Sequence, residues 1–110
     1  EEIMRAALQV IKRDGRREEF SRVKLINSLA TACQKRPIST QQIEQMTNSI
    51  IMQIEAEYER EVPSTAIGTK VMALLEKLDE VAYVRFASVY RRFKDVNQFM
   101  NEAERLIGRE

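Results

Sequence analysis

The sequence contains no histidine and a single cysteine among its 110 residues. It therefore offers no imidazole as a general base, and one thiol forms neither an intrachain disulfide nor a cysteine-based metal site. No glycine-rich phosphate loop of the Walker type is present. No apolar run is long enough to span a bilayer, and the start shows no signal-peptide pattern. The sequence thus contains few of the groups that catalysis usually needs, and its residues favour a binding function.

The charges are nearly balanced but unevenly placed. The net charge is +1, so no global field directs the chain to nucleic acid or to a membrane. Positive charge is concentrated in residues 12–17, whereas residues 55–61 are mainly acidic. The length suits one domain, and an apolar content of 44% with 32% charged residues is typical of a soluble globular protein.

The segment Val10–Phe20 is the one stretch that does not have a helical pattern. Its Asp14-Gly15 pair favours a two-residue type I′ turn, which predicts antiparallel strands at Leu8–Arg13 and Arg16–Phe20. A basic hairpin tip beside a helix N-terminus can bind an anion. It can equally be solvated surface without a ligand. The cations of this tip are Lys12, Arg13, Arg16 and Arg17.

The rest of the chain has the apolar periodicity of helices. The acidic residues that follow the second helix, up to Glu61, are interpreted as a solvated loop. Gly68 within the third helix is interpreted as a site of close packing or of close approach by a ligand, with packing favoured. The fold class predicted is mainly α (α+β), with an N-terminal β-hairpin over a small helical bundle. The predicted helices are Arg22–Lys35, Thr40–Tyr58, a third helix after Ser64, Glu80–Phe93 and Val96–Ile107, with Ser21, Ser39, Ser64 and Asp79 as N-caps. The apolar stripe of the third helix is predicted to run from Ile67 to Leu78.

Three cations from two elements could converge on a polyphosphate. Lys12 and Arg13 come from the hairpin, Lys24 lies on the first turn of the following helix, and Ser64 begins a helix whose N-terminus could face the same region. Two other functions fit the residues. One is direct nucleic-acid binding by the basic hairpin together with arginines of the fourth helix. The other is ligand-free helical dimerisation through the fourth and fifth helices. The arginines concerned are Arg85, Arg91 and Arg92.

Six segments, in order along the chain, form a pattern with a known counterpart: Val10–Arg16, Phe20, Lys24–Leu25, Lys35–Pro37, Glu59–Ser64 and Asp79–Arg91. Together they resemble an ATP-cone, the nucleotide-sensing domain attached to many ribonucleotide reductases. Three parts of this pattern are more similar still to NrdR, the family of bacterial transcriptional repressors of ribonucleotide reductase genes: Lys35–Pro37, Glu59–Ser64 and Val84–Arg91. The resemblance covers about Val10 to Leu106 and implies a hairpin lid over helices, with ATP or dATP beneath the lid.

The resemblance also implies roles for individual residues. Val10 would pack against the base, and Glu18 would accept a hydrogen bond from the nucleotide. Tyr90 would lie near the bound nucleotide. The phosphates would be held by Lys12, Arg13 and Lys24, and the far wall would consist of Ser64 and Ile67.

The resemblance further implies a cytoplasmic regulatory domain without enzymatic activity, which controls the assembly of a homo-oligomeric repressor. Residues 8–110 would form the ATP-cone with its C-terminal helix, and residues 1–7 a linker from an N-terminal part. In the family that part is a four-cysteine zinc ribbon, which supplies much of the DNA binding. The zinc site and DNA binding are therefore expected only in the full-length protein.

Overall fold

A computed structural model describes residues 7–90 of the chain. The predicted fold class, mainly helical with an N-terminal hairpin, is confirmed for these residues. The predicted fifth helix and the cations Arg91 and Arg92 lie outside the described residues. The elements in order are β1 (Gln9–Ile11), β2 (Arg17–Glu19), α1 (Arg22–Ala32), α2 (Thr40–Glu57), β3 (Glu61–Pro63), α3 (Ser64–Leu78) and α4 (Glu80–Tyr90).

The hairpin is present, but its strands are shorter than predicted and its turn is of another type. The Lys12 N–H donates to the Arg16 carbonyl at 2.7 Å, and the Gly15 N–H donates to the Lys12 carbonyl at 2.9 Å. The loop therefore has three residues, with Gly15 alone at positive φ (89°). A type I′ turn would require Asp14 at positive φ as well, so that prediction is wrong. Relative to the pairing that a two-residue loop would give, the three-residue loop shifts the strand register by one residue, so Val10 pairs with Glu18.

A third strand was not predicted. Residues 61–63, where the acidic segment ends, pair with β1 in parallel, so β1 is the centre of a sheet ordered β2-β1-β3. Val62 lies opposite Val10 and is fully buried. The predicted loop therefore ends in a strand at Glu61, and Val62, which was expected only to precede the third helix, is a core residue. Its charged neighbour Glu61 stays exposed and accepts a 2.6 Å bond from Arg17 of β2.

The predicted caps of the first two helices are confirmed. The Ser21 hydroxyl accepts from the Lys24 N–H at the start of α1, and Ser39 forms a reciprocal capping box with Gln42 at the start of α2. Helix α1 ends at Ala32, earlier than predicted. The chain turns there because Lys35 adopts a left-handed conformation with φ of 60°.

The caps of the last two helices differ from each other. Ser64 is the first residue of α3 and not its cap, so that prediction is wrong. Pro63 occupies the cap position without a side-chain hydrogen bond, because β3 leads directly into α3. Asp79 caps α4 as predicted, and its carboxylate accepts from the Ala82 N–H at 2.9 Å. The same carboxylate accepts from the Arg36 Nε at 3.0 Å.

One apolar core joins the sheet to the four helices. Cys33 is buried within it, and Tyr83 is its largest fully buried side chain. Part of the predicted stripe of α3 is less buried, because Leu78 is 36% exposed at the helix end. None of the helices within residues 7–90 has the length and apolarity to cross a membrane. The fully buried side chains of the core include Leu29, Ile50, Ile54, Val62, Val71 and Leu75.

We expect stability to depend on the ionisation of Asp79. Burial alone would raise its pKa, but hydrogen bonds from the Ala82 N–H and the Arg36 guanidinium outweigh burial and hold the pKa below its ordinary value. A depressed pKa stabilises the folded state above the unfolded value of about 3.9, and this contribution is lost as pH falls below it. Acid titration of the unfolding free energy should show a shallower decrease in Asp79→Asn. Parallel curves for the two proteins would contradict this.

Candidate functional site

The strand register places three predicted residues on one face of the hairpin. Val10 of β1 lies directly opposite Glu18 of β2, and paired residues of antiparallel strands project to the same face. Lys12 follows Val10 by two residues, so its side chain also projects to that face. Val10 is buried on this face, whereas Lys12 and Glu18 are partly exposed. The face thus combines an apolar base with a charged rim.

Lys24 reaches the same rim from helix α1. It lies in the first turn, where side chains lean back toward the helix N-terminus and hence toward the hairpin. Its Nζ donates to Glu18 Oε1 at 2.6 Å, and Lys12 Nζ lies 3.9 Å from the same oxygen. The prediction that Lys24 lies close to the hairpin is confirmed.

The two lysines keep Glu18 ionised. The hydrogen bond from Lys24 and the positive charge of Lys12 hold the pKa of Glu18 below its ordinary range. Two ammonium groups face one carboxylate, so this cluster has excess positive charge. It can attract a further anionic group without first removing a proton.

Arg13 lies in the hairpin loop and contacts the opposite side of the site. Its Nη2 donates to the Tyr90 carbonyl at 2.6 Å. Its guanidinium also lies over the Tyr90 ring, with the Cζ atom 5.1 Å from the ring centroid. The hairpin tip therefore contacts Tyr90, the last residue of α4 that the structure describes.

The hairpin, α1, α3 and α4 enclose a cavity of about 470 Å³. This volume is in the range of small-molecule sites. The N-terminal part of α3 contributes Ser64 and Ile67 to its wall. All eight residues that were predicted to bind the nucleotide line this cavity: Val10, Lys12, Arg13, Glu18, Lys24, Ser64, Ile67 and Tyr90.

Two larger hollows lie elsewhere on the described surface. One, of about 670 Å³, is next to Tyr58, and the other, of about 750 Å³, lies between α1 and α4. Neither is lined by any of the eight predicted residues. Within residues 7–90 no three carboxylate or thiol groups lie close enough together to hold a metal ion. The cavity under the hairpin is therefore the site whose chemistry suits an organic anion, with cations at the rim and an apolar base.

Comparison with known proteins shows the family of the chain. The sequence profile of the ATP cone domain matches residues 8–96. The protein named transcriptional repressor NrdR in Opitutus terrae is 51% identical over all 110 residues. The chain belongs to the NrdR family of ATP-cone proteins. The relatives of the same name in Anaeromyxobacter sp. strain K and Acetivibrio thermocellus are 56% and 50% identical, over 86% and 98% of the chain.

The NrdR relatives are longer than this chain. The chain spans 72% of the Opitutus protein and 61% of the Anaeromyxobacter protein. The predicted resemblance to the ATP-cone and to NrdR is confirmed, because the chain is a member of that family. The match to the Opitutus protein spans the whole chain, and with it the hairpin and the helices around the cavity.

Several cavity residues of this NrdR domain were not predicted as site residues. Gly68 was interpreted mainly as a packing position, and it both packs against the Tyr90 ring and lines the cavity. Phe86 lies four residues before Tyr90, and its ring stacks on the Tyr90 ring at 5.7 Å. Helical spacing could have indicated this pair, because residues four apart share one helix face. Further lining residues include Phe20, Leu25, Ser28, Val71 and Val89.

Proposed function

We propose that this domain binds an adenine nucleotide, ATP or dATP, in the cavity under the hairpin. The nucleotide would set the oligomeric state of a transcriptional repressor of ribonucleotide reductase genes. The observation that carries the proposal is the convergence of Lys12, Arg13 and Lys24, from two elements, on one cavity with an apolar base.

The phosphates would lie among the three cations. A lysine ammonium has three donors, so Lys24 can keep its bond to Glu18 while it donates to a phosphate oxygen. Arg13 can likewise donate to a phosphate from N–H groups other than the one bound to Tyr90. Glu18 would accept a hydrogen bond from the nucleotide, since its carboxylate has acceptor sites on two oxygens.

The base would lie on the apolar part of the cavity. Val10 is 9% exposed at the centre of the sheet, and Ser64 with Ile67 lines the opposite wall. Tyr90 adds an aromatic ring at the edge of the cavity, beside Arg13. The partition into an apolar part and a cationic rim supports a nucleotide over a purely inorganic anion.

The role proposed is regulatory binding, not catalysis, in a cytoplasmic repressor. The relatives are named transcriptional repressors, which supports a regulatory role. DNA binding, zinc and the ribbon that would hold it are assigned to the full-length protein only. A homo-oligomer is proposed as the form that the nucleotide controls.

The structure gives less support to direct nucleic-acid binding by the described cations. The Arg16 guanidinium donates a hydrogen bond to the Asp14 carboxylate at 2.7 Å, and the Arg17 guanidinium donates to the Glu61 carboxylate at 2.6 Å. Both positive charges are therefore already paired with a carboxylate. Arg85 donates to the carbonyls of Ala32 and Gln34, where it caps the end of α1. A binder of the phosphate backbone would lose affinity steeply with salt, which gives a simple test of this alternative.

We expect ATP and dATP to change how chains associate. A ligand can shift assembly only if it binds one state more tightly, and Tyr90 connects the cavity to the helix that precedes residues 91–110. Light scattering on the 110-residue chain should show a mass that depends on the nucleotide. A chain ending at Asp95 should lose this dependence and still bind ATP.

A constant mass in every nucleotide state would contradict control of assembly. If the nucleotide bound nonetheless, the binding part of the proposal would stand. An unchanged response in the chain ending at Asp95 would show that the C-terminal residues are not needed for the contact.

A further inference from the structure

The ring of Tyr90 is fixed by residues of α3 and α4. Gly68 leaves the space that the ring occupies, because a Cβ atom at position 68 would overlap the ring atoms. The Tyr90 hydroxyl donates to the Thr65 carbonyl at 2.7 Å. The Phe86 ring stacks on the Tyr90 ring, and the planes of the two rings are 20° apart. The ring thus has one defined position beside the cavity.

Arg13 is in turn held by Tyr90. The hairpin loop places Arg13 at an exposed tip, where a long side chain would otherwise sample many rotamers. The bond of 2.6 Å to the Tyr90 carbonyl and the position over the ring restrict it. The guanidinium has five N–H donors in a rigid fork, more than the one carbonyl bond uses.

We infer that Tyr90 is a positioning residue for Arg13, and that Gly68 makes this possible by accommodating the ring. An arginine already ordered for phosphate binding loses less entropy when the ligand arrives, so it binds more tightly. This role rests on the nucleotide site proposed above and assigns Tyr90 to the phosphate end of the ligand. A residue that only contacted the base would act on every adenine compound alike.

The test compares ATP with adenosine, which lacks phosphates, by NMR titration of the full chain. Gly68→Ala, which displaces the ring, and Tyr90→Leu, which removes it, leave the backbone carbonyl at position 90 in place but remove the cation–π contact, so each should weaken ATP binding by about five- to tenfold. Adenosine affinity should be unchanged in both. Tyr90→Phe keeps the aromatic ring under Arg13 and should bind ATP within about twofold of the original chain. In an Arg13→Ala background, Tyr90→Leu should cause no further loss.

A second measurement needs no ligand. The Arg13 Nε–Hε resonance should show a ring-current shift that persists in Tyr90→Phe and disappears in Tyr90→Leu. Leu75→Val is a matched control, because Leu75 is buried in α3 two turns beyond Gly68 and does not line the cavity. It should leave both affinities unchanged.

Three outcomes would overturn the role of Tyr90. Equal losses of ATP and adenosine in Tyr90→Leu would make Tyr90 a base contact. Unchanged ATP affinity in that variant would show that Arg13 does not need it, and this result decides the matter even if Gly68→Ala fails to fold. If the original chain bound neither compound, the proposed function would fail and the positioning role with it.

Discussion

Replacing both Lys12 and Lys24 by alanine is expected to lower the affinity for ATP about 100-fold or more. Each charge-assisted bond to a phosphate contributes ~1.5–3 kcal/mol, and 1.4 kcal/mol corresponds to about tenfold in affinity. Lys12 should contribute the larger share, because its side chain is 37% exposed against 68% for Lys24. Calorimetric titration of the two single variants and the double variant would measure the shares.

Lys77→Ala is the matched control for this experiment. Lys77 lies in the last turn of α3 and does not line the cavity, so its removal changes the net charge without touching the site. Its ATP affinity should equal that of the original chain. Unchanged affinity in the Lys12 and Lys24 double variant would place the nucleotide elsewhere, whereas a loss equal to that of Lys77→Ala would indicate only long-range charge.

Val62→Ala is expected to lower the free energy of unfolding by roughly 1.5–3 kcal/mol. Val62 is fully buried in β3 and lies beside Val10 in the parallel register. The substitution removes buried methyl groups and leaves a small cavity, and both effects destabilise the fold. Chemical denaturation monitored by circular dichroism would measure the change.

Met52→Ala provides the contrast for Val62→Ala. Met52 is 70% exposed on α2, and surface substitutions usually change stability by no more than about 0.5 kcal/mol. A solvated loop at residues 61–63 would instead make Val62→Ala as neutral as Met52→Ala. Equal stabilities of the two variants would therefore contradict the buried strand.

Helix starts could be predicted because their signals are local. Ser21, Ser39 and Asp79 each cap a helix through a backbone N–H three residues ahead. Such a pattern can be found without knowledge of the fold. The prediction for Ser64 was wrong because Pro63 pairs with a distant strand, and no local signal shows that β3 leads directly into α3.

The residues of the candidate site likewise fall into those that the sequence could predict and those that depend on packing. Lys12, Arg13 and Lys24 could be chosen from charge and spacing, and Ser64 from its place at a helix start. The resemblance to the ATP-cone supplied Val10, Glu18, Ile67 and Tyr90. Gly68 and Phe86 were not predicted as site residues, because their part depends on where the Tyr90 ring lies. Ring position follows from packing between α3 and α4, which a pattern along one helix does not specify.

By itself, the sequence determined the helical bundle, the basic hairpin beside α1 and the family to which the chain belongs. Only the tertiary structure decided the hairpin register and the third strand. A three-residue loop pairs Lys12 with Arg16 and leaves Arg13 free to reach Tyr90, whereas a two-residue loop would have moved each side chain of one strand to the other face. Val62 is buried because β1 lies beside it, about fifty residues away along the chain. The free energy of such a contact depends on the assembled core, which no short segment contains.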